Sequence, residues 1–389
     1  MKVTRMKTFM YRAAWTWLFL KLETDEGVSG WGEATTQSAA SKATEAALHE
    51  FGENYLIGKD PRQIELHFST MLRNSYWRPS IVLYSAISGL EMAMWDILGK
   101  SLNTPIYTLL GGVCNPRLKI YHNGWWFRAK SYRDYAKLAK EMVETGARAL
   151  KFDPMQGCDY FIDREQANQV VEAIRLVREA VGDDVELLID VHGRLSPDNT
   201  IKLAREVEQY RPYWWEEPIP TDASVEDLAR VASSINIPVV VGERIYTRWG
   251  FRDVFEKRAA AIINPDIAHE GGILETKKVA DMAHAYYIPV SPHSAGGPIL
   301  TAASIQLEAT IPNFLLHEFF SPDMPYYREI VKEPFPVMKD DFIELPTKPG
   351  LGIELNEEAL GNRPYSYCDF GAFWATHEEW IAGTYGDTS

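Results

Sequence analysis

Residues 186–243, ELLIDVHGRLSPDNTIKLAREVEQYRPYWWEEPIPTDASVEDLARVASSINIPVVVGE, decide the fold. Three short apolar runs, LLI, WW and VVV, lead into a carboxylate, Asp190 and Glu216 directly and Glu243 across Gly242. Amphipathic stretches long enough for a helix separate them. Apolar strands alternating with helices predict parallel βα units.

The same rhythm continues outward in both directions. Upstream stand KIYHN (119–123) and RALKFD (148–153); downstream stand AAIINPD (260–266), IPVSPH (288–293) and FLLHEF (314–319). Helical intervals such as DREQANQVVEAIRLVREAVG (163–182) and GGILETKKVADMAHAYY (271–287) lie between strands. Eight strands of this kind predict an α/β closed barrel, a modified TIM barrel of the (β/α)7β type over 119–332, with an open doubly wound sheet as the alternative. The first 118 residues read differently. WTWLFLKLET (15–24) and Ser29–Ala34 flank the turn Asp25-Glu26-Gly27 as a hairpin. Helical patterns follow over 39–53, 61–73 and 79–101, and breakers around Thr104-Pro105 and Gly111-Gly112 close the segment. An α+β N-terminal capping domain with a three-stranded meander is expected. Residues 333–389 should leave the barrel and pack on that domain. Their aromatic stretch from Tyr365 to Trp380 is available for a subunit contact, and a homo-oligomer is expected.

Polar residues fall at the strand ends. Asp190, Glu216, Glu243, Asp266, His293 and Glu318 end six consecutive strands, one βα unit apart, and Lys151 extends the series backwards. In a βα barrel these ends meet at one mouth, where active sites are built. Polar loop beginnings alone explain one or two such positions, not seven in register. Three adjoining carboxylates repel unless a cation sits among them, and oxygen-only ligands favour Mg2+. A salt-bridge network to Lys or Arg, which Arg244 could serve, is the structural alternative. Glu217, next to Glu216, should face elsewhere and pair with a neighbouring cation. Asp266 and His293 end adjoining strands, so the carboxylate should orient the imidazole as a proton carrier. His192, two residues after Asp190, should lie on the same face beside the metal, with no aspartate of its own. Asp153 shares a side with Lys151, so these two form an ion pair or bind substrate together.

The formal net charge of −14 with no basic stripe argues against a nucleic-acid partner. Three cysteines, Cys114, Cys158 and Cys368, suit a reducing compartment better than a disulfide framework. The start, MKVTRMKTFMYRAAW, shows no signal peptide, and apolar stretches look shorter than a membrane span, so a cytoplasmic protein with no membrane partner is expected. No Walker loop, dinucleotide glycine fingerprint or CxxC pair occurs.

Taken together, LLIDVHGR, WWEEP, VVGER, INPDIAHEGGI and SPHSAGGPI, with EMAMWDILGKSLNTPIYTLLGG (91–112) and PGLGIELNE (349–357), resemble the enolase superfamily. The closest likeness is to its mandelate racemase-like sugar-acid dehydratases, galactonate and gluconate types among them. The resemblance covers almost the whole chain. It implies Mg2+, one per subunit, on Asp190, Glu216 and Glu243, and a general-base dyad of Asp266 and His293. It further implies a Glu318 hydrogen bond to the substrate carboxylate or enediolate, and a Lys151 contact with that carboxylate. Asp153 stands where many relatives carry a second lysine base, which counts against racemisation. The Asp-x-His of Asp190–His192 implies that His192 is the acid for a departing 3-hydroxyl. A Mg-dependent dehydratase making a 2-keto-3-deoxy acid from an aldonate or aldarate is expected. Lys151, Asp153, His192, His293 and Glu318 would contact the substrate, and cap segments Tyr11–Trp17 and beyond Gly32 would set which sugar acid fits. The rivals are an epimerase or cycloisomerase on the same barrel, and a non-catalytic sugar-acid binding protein.

Overall fold

The computed structural model describes residues 1–37, 40–77, 80–321 and 324–367; most of the aromatic stretch from Tyr365 to Trp380 lies outside them. The chain begins with β1 (Val3–Arg12), β2 (Thr16–Thr24) and β3 (Ser29–Glu33), an antiparallel sheet in that order. Helices α1 (Ser41–Phe51), α2 (Ile64–Asn74), α3 (Ile81–Ser101) and the single turn α4 (Ile106–Leu109) follow. Helix α3 lies against β3 because glycines meet there. A Cβ on Gly32 would collide with the Gly89 carbonyl, and one on Gly30 with that of Ala93. By length and mean hydropathy, 1.4, α3 could cross a membrane, contrary to the expectation that no stretch reaches that size. Instead 78% of its apolar window is buried inside the protein, as the core helix of the cap.

The barrel runs β4 (Arg117–Asn123), α5 (Asp134–Glu144), β5 (Ala149–Phe152), α6 (Arg164–Val181), β6 (Glu186–Asp190), α7 (Pro197–Val207), β7 (Trp214–Glu216) and α8 (Val225–Ser234). It continues with β8 (Val239–Val241), α9 (Thr247–Glu256), β9 (Ile262–Ile263), the turn α10 (Ile267–Glu270), α11 (Ile273–Ala285), α12 (Pro298–Glu308) and β10 (His317–Phe320). Neighbours from β4 to β9 pair in parallel, and β10 pairs in parallel with β4, His317 opposite Ile120. The seventh strand expected over 288–293 survives only as bridges, Val290 to Ile263 and to Phe314, and His293 to Asp266. Pro289 and Pro292 have no N–H to give a ladder, so a regular strand cannot form there. The barrel still closes. Its interior is filled by Tyr121, Ala149, Leu188, Trp214, Val240, Ile262 and Leu316, each from a different strand or strand approach.

After α13 (Met324–Ile330) the chain does not leave the barrel at once. A hairpin of β11 (Met338–Lys339) and β12 (Phe342–Glu344) adds antiparallel to β4, Ile343 opposite Leu118. The chain already touches the cap at α13, where Tyr11 donates to Glu329 (2.6 Å), and it returns there after the hairpin. There the Leu351 N–H donates to Asp96 (2.9 Å), and Glu357, at the start of α14 (Glu357–Leu360), pairs with Lys7 (3.1 Å) and Lys21 (2.7 Å).

Two buried carboxylates of the cap dock on helix N-termini of the barrel, where unpaired N–H groups and the helix dipole favour an anion. Glu91 of α3 accepts from the N–H groups of Ile273 (2.7 Å) and Leu274 (2.9 Å) at the start of α11. Glu33 of β3 accepts from Gly297 (2.5 Å) and Leu300 (2.9 Å) at the start of α12. Burial pushes Glu33 up to about 7 and Glu91 up to about 8, against the pull of these hydrogen bonds.

Candidate active site

Asp190 and Glu216 end β6 and β7 in register with each other, and Glu243 lies two residues beyond β8. One carboxylate oxygen from each lies within 4.8 Å of the others. Burial, then the charge of Asp190, pushes Glu216 up to about 8; burial likewise raises Glu243. Glu216 Oε1 accepts from Lys151 (2.8 Å) and Asn264 (2.8 Å), whereas its buried Oε2 has no protein partner. A hard divalent cation fits this donor set: it would occupy the orphaned oxygen and reverse the repulsion that raises these carboxyl groups. Arg244 meets the trio only at its edge, 3.8 Å from Glu243 Oε1. It donates to Glu217 (2.6 Å), which also caps the Gly242 N–H, so Glu217 faces away from the site as expected.

Lys151 is fully buried between Glu216 (2.8 Å), Glu318 (2.9 Å) and Asp190 (3.6 Å), which together raise it well above its ordinary value against the burial that would lower it. It forms no ion pair with Asp153. Glu318 accepts from Lys151, from Asn123 (2.9 Å) and from the Ser294 N–H (2.7 Å). Burial favours its neutral form, but Lys151 and His293 outweigh that and hold it near 2. Its contacts fix Lys151 and the loop after His293.

Two imidazoles flank the carboxylates. His293 Nδ1 lies 2.7 Å from Asp266 Oδ2, whose other oxygen accepts from the Ala268 N–H. A carboxylate only accepts, so Nδ1 carries the hydrogen and Nε2 faces the site, 3.3 Å from Glu243 and 3.9 Å from Glu318. Burial would lower this histidine; Glu318 and Glu243 override it and raise it to about 10. His192 is built in the same way, which corrects the expectation that it has no aspartate. Its Nδ1 lies 2.8 Å from Asp153 Oδ2, and its Nε2 lies 3.3 Å from Asp190.

The reason is local. Strand β5 stops at Phe152, so Asp153 turns away from Lys151 towards the loop after β6. There it is fully buried and accepts from Arg194 (2.5 Å), Gln156 (3.1 Å) and the Met155 N–H (2.7 Å). With its oxygens so engaged it holds His192, not Lys151. Arg194 and His192 lower its pKa against burial. His192 reaches the site through a left-handed backbone (φ 51°) after β6 has ended, not through strand alternation. Its own pKa rises to about 8: burial opposes, but Asp190 and Asp153 prevail.

Lys151, Asp190, His192 and His293 open into one pocket walled by Trp126, Phe127 and Phe320, with Asn123 and Ala295 beside them. The cap completes it with Trp15 and Gln37, one from each segment expected to do so. Sequence reasoning passed over Asn123, Asn264 and Arg194. Asn123 was findable, since it ends KIYHN as the charged residues end theirs. The other two show no comparable signal.

The chain matches the enolase C-terminal domain-like family model over residues 134–359. It also matches the mandelate racemase/muconate lactonizing enzyme N-terminal domain over 5–111. A D-galactonate dehydratase of Variovorax paradoxus is 39% identical over 92% of this chain and 94% of that one. Another, from Cronobacter sakazakii, is 36% identical over 95% and 96%. A solved mandelate racemase/muconate lactonizing enzyme from Sulfitobacter superposes with a TM-score of 0.86 at 35% identity, over 94% of this chain and 96% of that one. Cap, barrel and strand-end carboxylates therefore have one common explanation: the chain belongs to the mandelate racemase/muconate lactonizing enzyme family of the enolase superfamily.

Proposed function

We propose that the protein is a Mg2+-dependent sugar-acid dehydratase, acting on an aldonate such as D-galactonate and releasing a 2-keto-3-deoxy acid. One observation carries the reading. Two carboxylate-backed imidazoles, His293–Asp266 and His192–Asp153, present Nε2 to one pocket from either side of the Asp190, Glu216 and Glu243 cluster. Relatives named D-galactonate dehydratase support the substrate class.

Removing the proton α to a carboxylate puts a second negative charge on that group, and each 1.36 kcal/mol by which a site favours that state gives about tenfold in rate. Asp190, Glu216 and Glu243 would hold Mg2+, which supplies Lewis-acid stabilisation of that charge when bound. Lys151 adds a fixed ammonium on the same side. His293 takes the α-proton on Nε2, and Asp266 stabilises the imidazolium. For that step His293 must be neutral at Nε2, and with Mg2+ held by Asp190, Glu216 and Glu243 the field of Glu243 that favours its protonated form would be offset. His192 then gives its Nε2 proton to the leaving 3-hydroxyl, with Asp153 and Arg194 holding the ring in place. A second reading, epimerisation, draws on the same second dyad, since His192 could return a proton to the opposite face.

Incubation with Mg2+ across a panel of aldonic and aldaric acids, read by semicarbazide trapping of 2-keto products, tests the proposal. A keto product from D-galactonate or a close analogue, lost in excess EDTA, supports it. Exchange of the α-hydrogen with no loss of water from any member of the panel would favour the epimerase.

A further inference from the structure

We infer that Glu33 of the capping domain is a positioning residue for His293, so that the docked cap holds the base in place. The link between His293 and helix α12 is the four residues Ser294 to Gly297, and each is pinned. The Ser294 N–H donates to Glu318 (2.7 Å), and the Ala295 carbonyl accepts from Gln37 of the cap. The Gly296 carbonyl accepts from Tyr327 (3.0 Å), and the Gly297 N–H donates to Glu33 (2.5 Å). Two of the four anchors therefore come from the cap.

Helix α12 needs the second of these. Its N-cap is Gly297, which has no side chain to satisfy the first-turn N–H groups. Glu33 supplies the missing cap from another domain, taking Gly297 on Oε1 and Leu300 on Oε2. The same Oε1 accepts from Thr35 (2.6 Å), whose hydroxyl oxygen in turn accepts from the Leu18 N–H (3.1 Å). Three donors converge on one fully buried side chain. Only a group that accepts on both oxygens meets them all; an amide would set its NH2 against a backbone N–H. The fit also leaves no room for a larger residue in the loop. A Cβ on Gly296 or Gly297 would come within 2.9 or 3.0 Å of Glu33 Oε1.

The hydrogen bonds of Glu33 go to the loop and the start of α12, and its charge is also felt at Asp266 of the base dyad, so it acts on His293 through the loop and through that field. A base displaced by a fraction of an ångström loses turnover far more than substrate affinity, since 1 Å can cost on the order of 10²-fold. This inference rests on His293 being the α-proton base, so His293→Asn is measured beside the test variant. At about pH 8, where Glu33 is ionised, Glu33→Gln in the Mg2+-loaded enzyme should lower kcat and α-hydrogen exchange by roughly 10- to 10²-fold. KM should stay within about twofold. A folded Glu33→Gln with wild-type kcat, or with only KM raised, overturns the inference. A purely structural role would lower the melting temperature while the folded protein turned over at the wild-type kcat, and that outcome also overturns it. If Glu33→Gln does not fold, Thr35→Val serves. It keeps both backbone bonds to Glu33 and should give a smaller fall in kcat; an unchanged kcat counts against the inference. Exchange surviving in His293→Asn would instead overturn the functional reading.

Discussion

The two imidazole–carboxylate pairs at the barrel mouth have nearly the same contact, 2.7 Å for His293–Asp266 and 2.8 Å for His192–Asp153, yet they sit in different fields. His293 lies between Glu243 and Glu318, and its side chain is 12% exposed. His192 has Asp190 on one side, the Arg194 guanidinium behind its aspartate, and 25% exposure. His293 is accordingly raised to about 10 and His192 only to about 8. An aspartate partner therefore does not distinguish base from acid here. What differs is the carboxylates each Nε2 faces, Glu243 and Glu318 for His293 and Asp190 for His192.

The largest expected effect removes what both dyads share. Glu216→Gln takes a negative ligand from the cluster and should cut dehydration and α-hydrogen exchange together by at least about 10³-fold, the several kcal/mol a Lewis acid supplies. Loss of dehydration with exchange intact would place the ion on the acid's side alone.

A more selective comparison exchanges each dyad's carboxylate for an amide. Asp266→Asn should impair exchange and dehydration by roughly 10²–10⁴-fold, because the amide can stabilise the wrong tautomer of the base. Asp153→Asn should impair dehydration by a smaller factor, about 10- to 10²-fold, and spare exchange. Equal loss of exchange in both variants would erase the distinction between the pairs.

The smallest effect concerns the background on which any pH comparison of the dyads is read. Burial raises the Glu91 carboxyl from its unfolded value to about 8, so the folded state holds its proton more tightly. Its contribution to stability is complete below the unfolded pKa and is lost as pH rises towards about 8. Melting temperatures of the Mg2+-loaded protein should therefore fall less steeply between about pH 5 and pH 8 in Glu91→Gln than in wild type. Parallel slopes would show that this carboxyl ionises no differently in the fold.

Much of this was legible in residue order. The alternation of LLI, WW and VVV with amphipathic stretches implies the barrel, and the residue behind each run lands at its mouth, because strand direction alone places it there. The irregular parts were not legible. The prolines at 289 and 292 reduce a strand to bridges without moving His293, so a strand was expected where only its end matters. Asp153 and His192 were misread because alternation was extended past Phe152 and Asp190, where the strands have stopped and turn geometry takes over. The hairpin at 338–344 pairs with β4 across more than two hundred residues, and no local pattern announces that. Glu33 and Glu91 looked like ordinary polar residues of a strand and a helix. Their partners are helix ends from the other domain, which only the folded chain brings near.

The division of labour between the histidines is the central claim, and NMR of substrate recovered from D2O tests it most directly. His293→Asn should return substrate with no deuterium at the α-carbon and no dehydration, since nothing removes the proton. His192→Asn should lose dehydration by about 10²–10⁴-fold and still return α-deuterated substrate, because the enediolate forms and collapses back. Deuterium appearing with His293→Asn and not with His192→Asn would contradict the account and reverse the two roles.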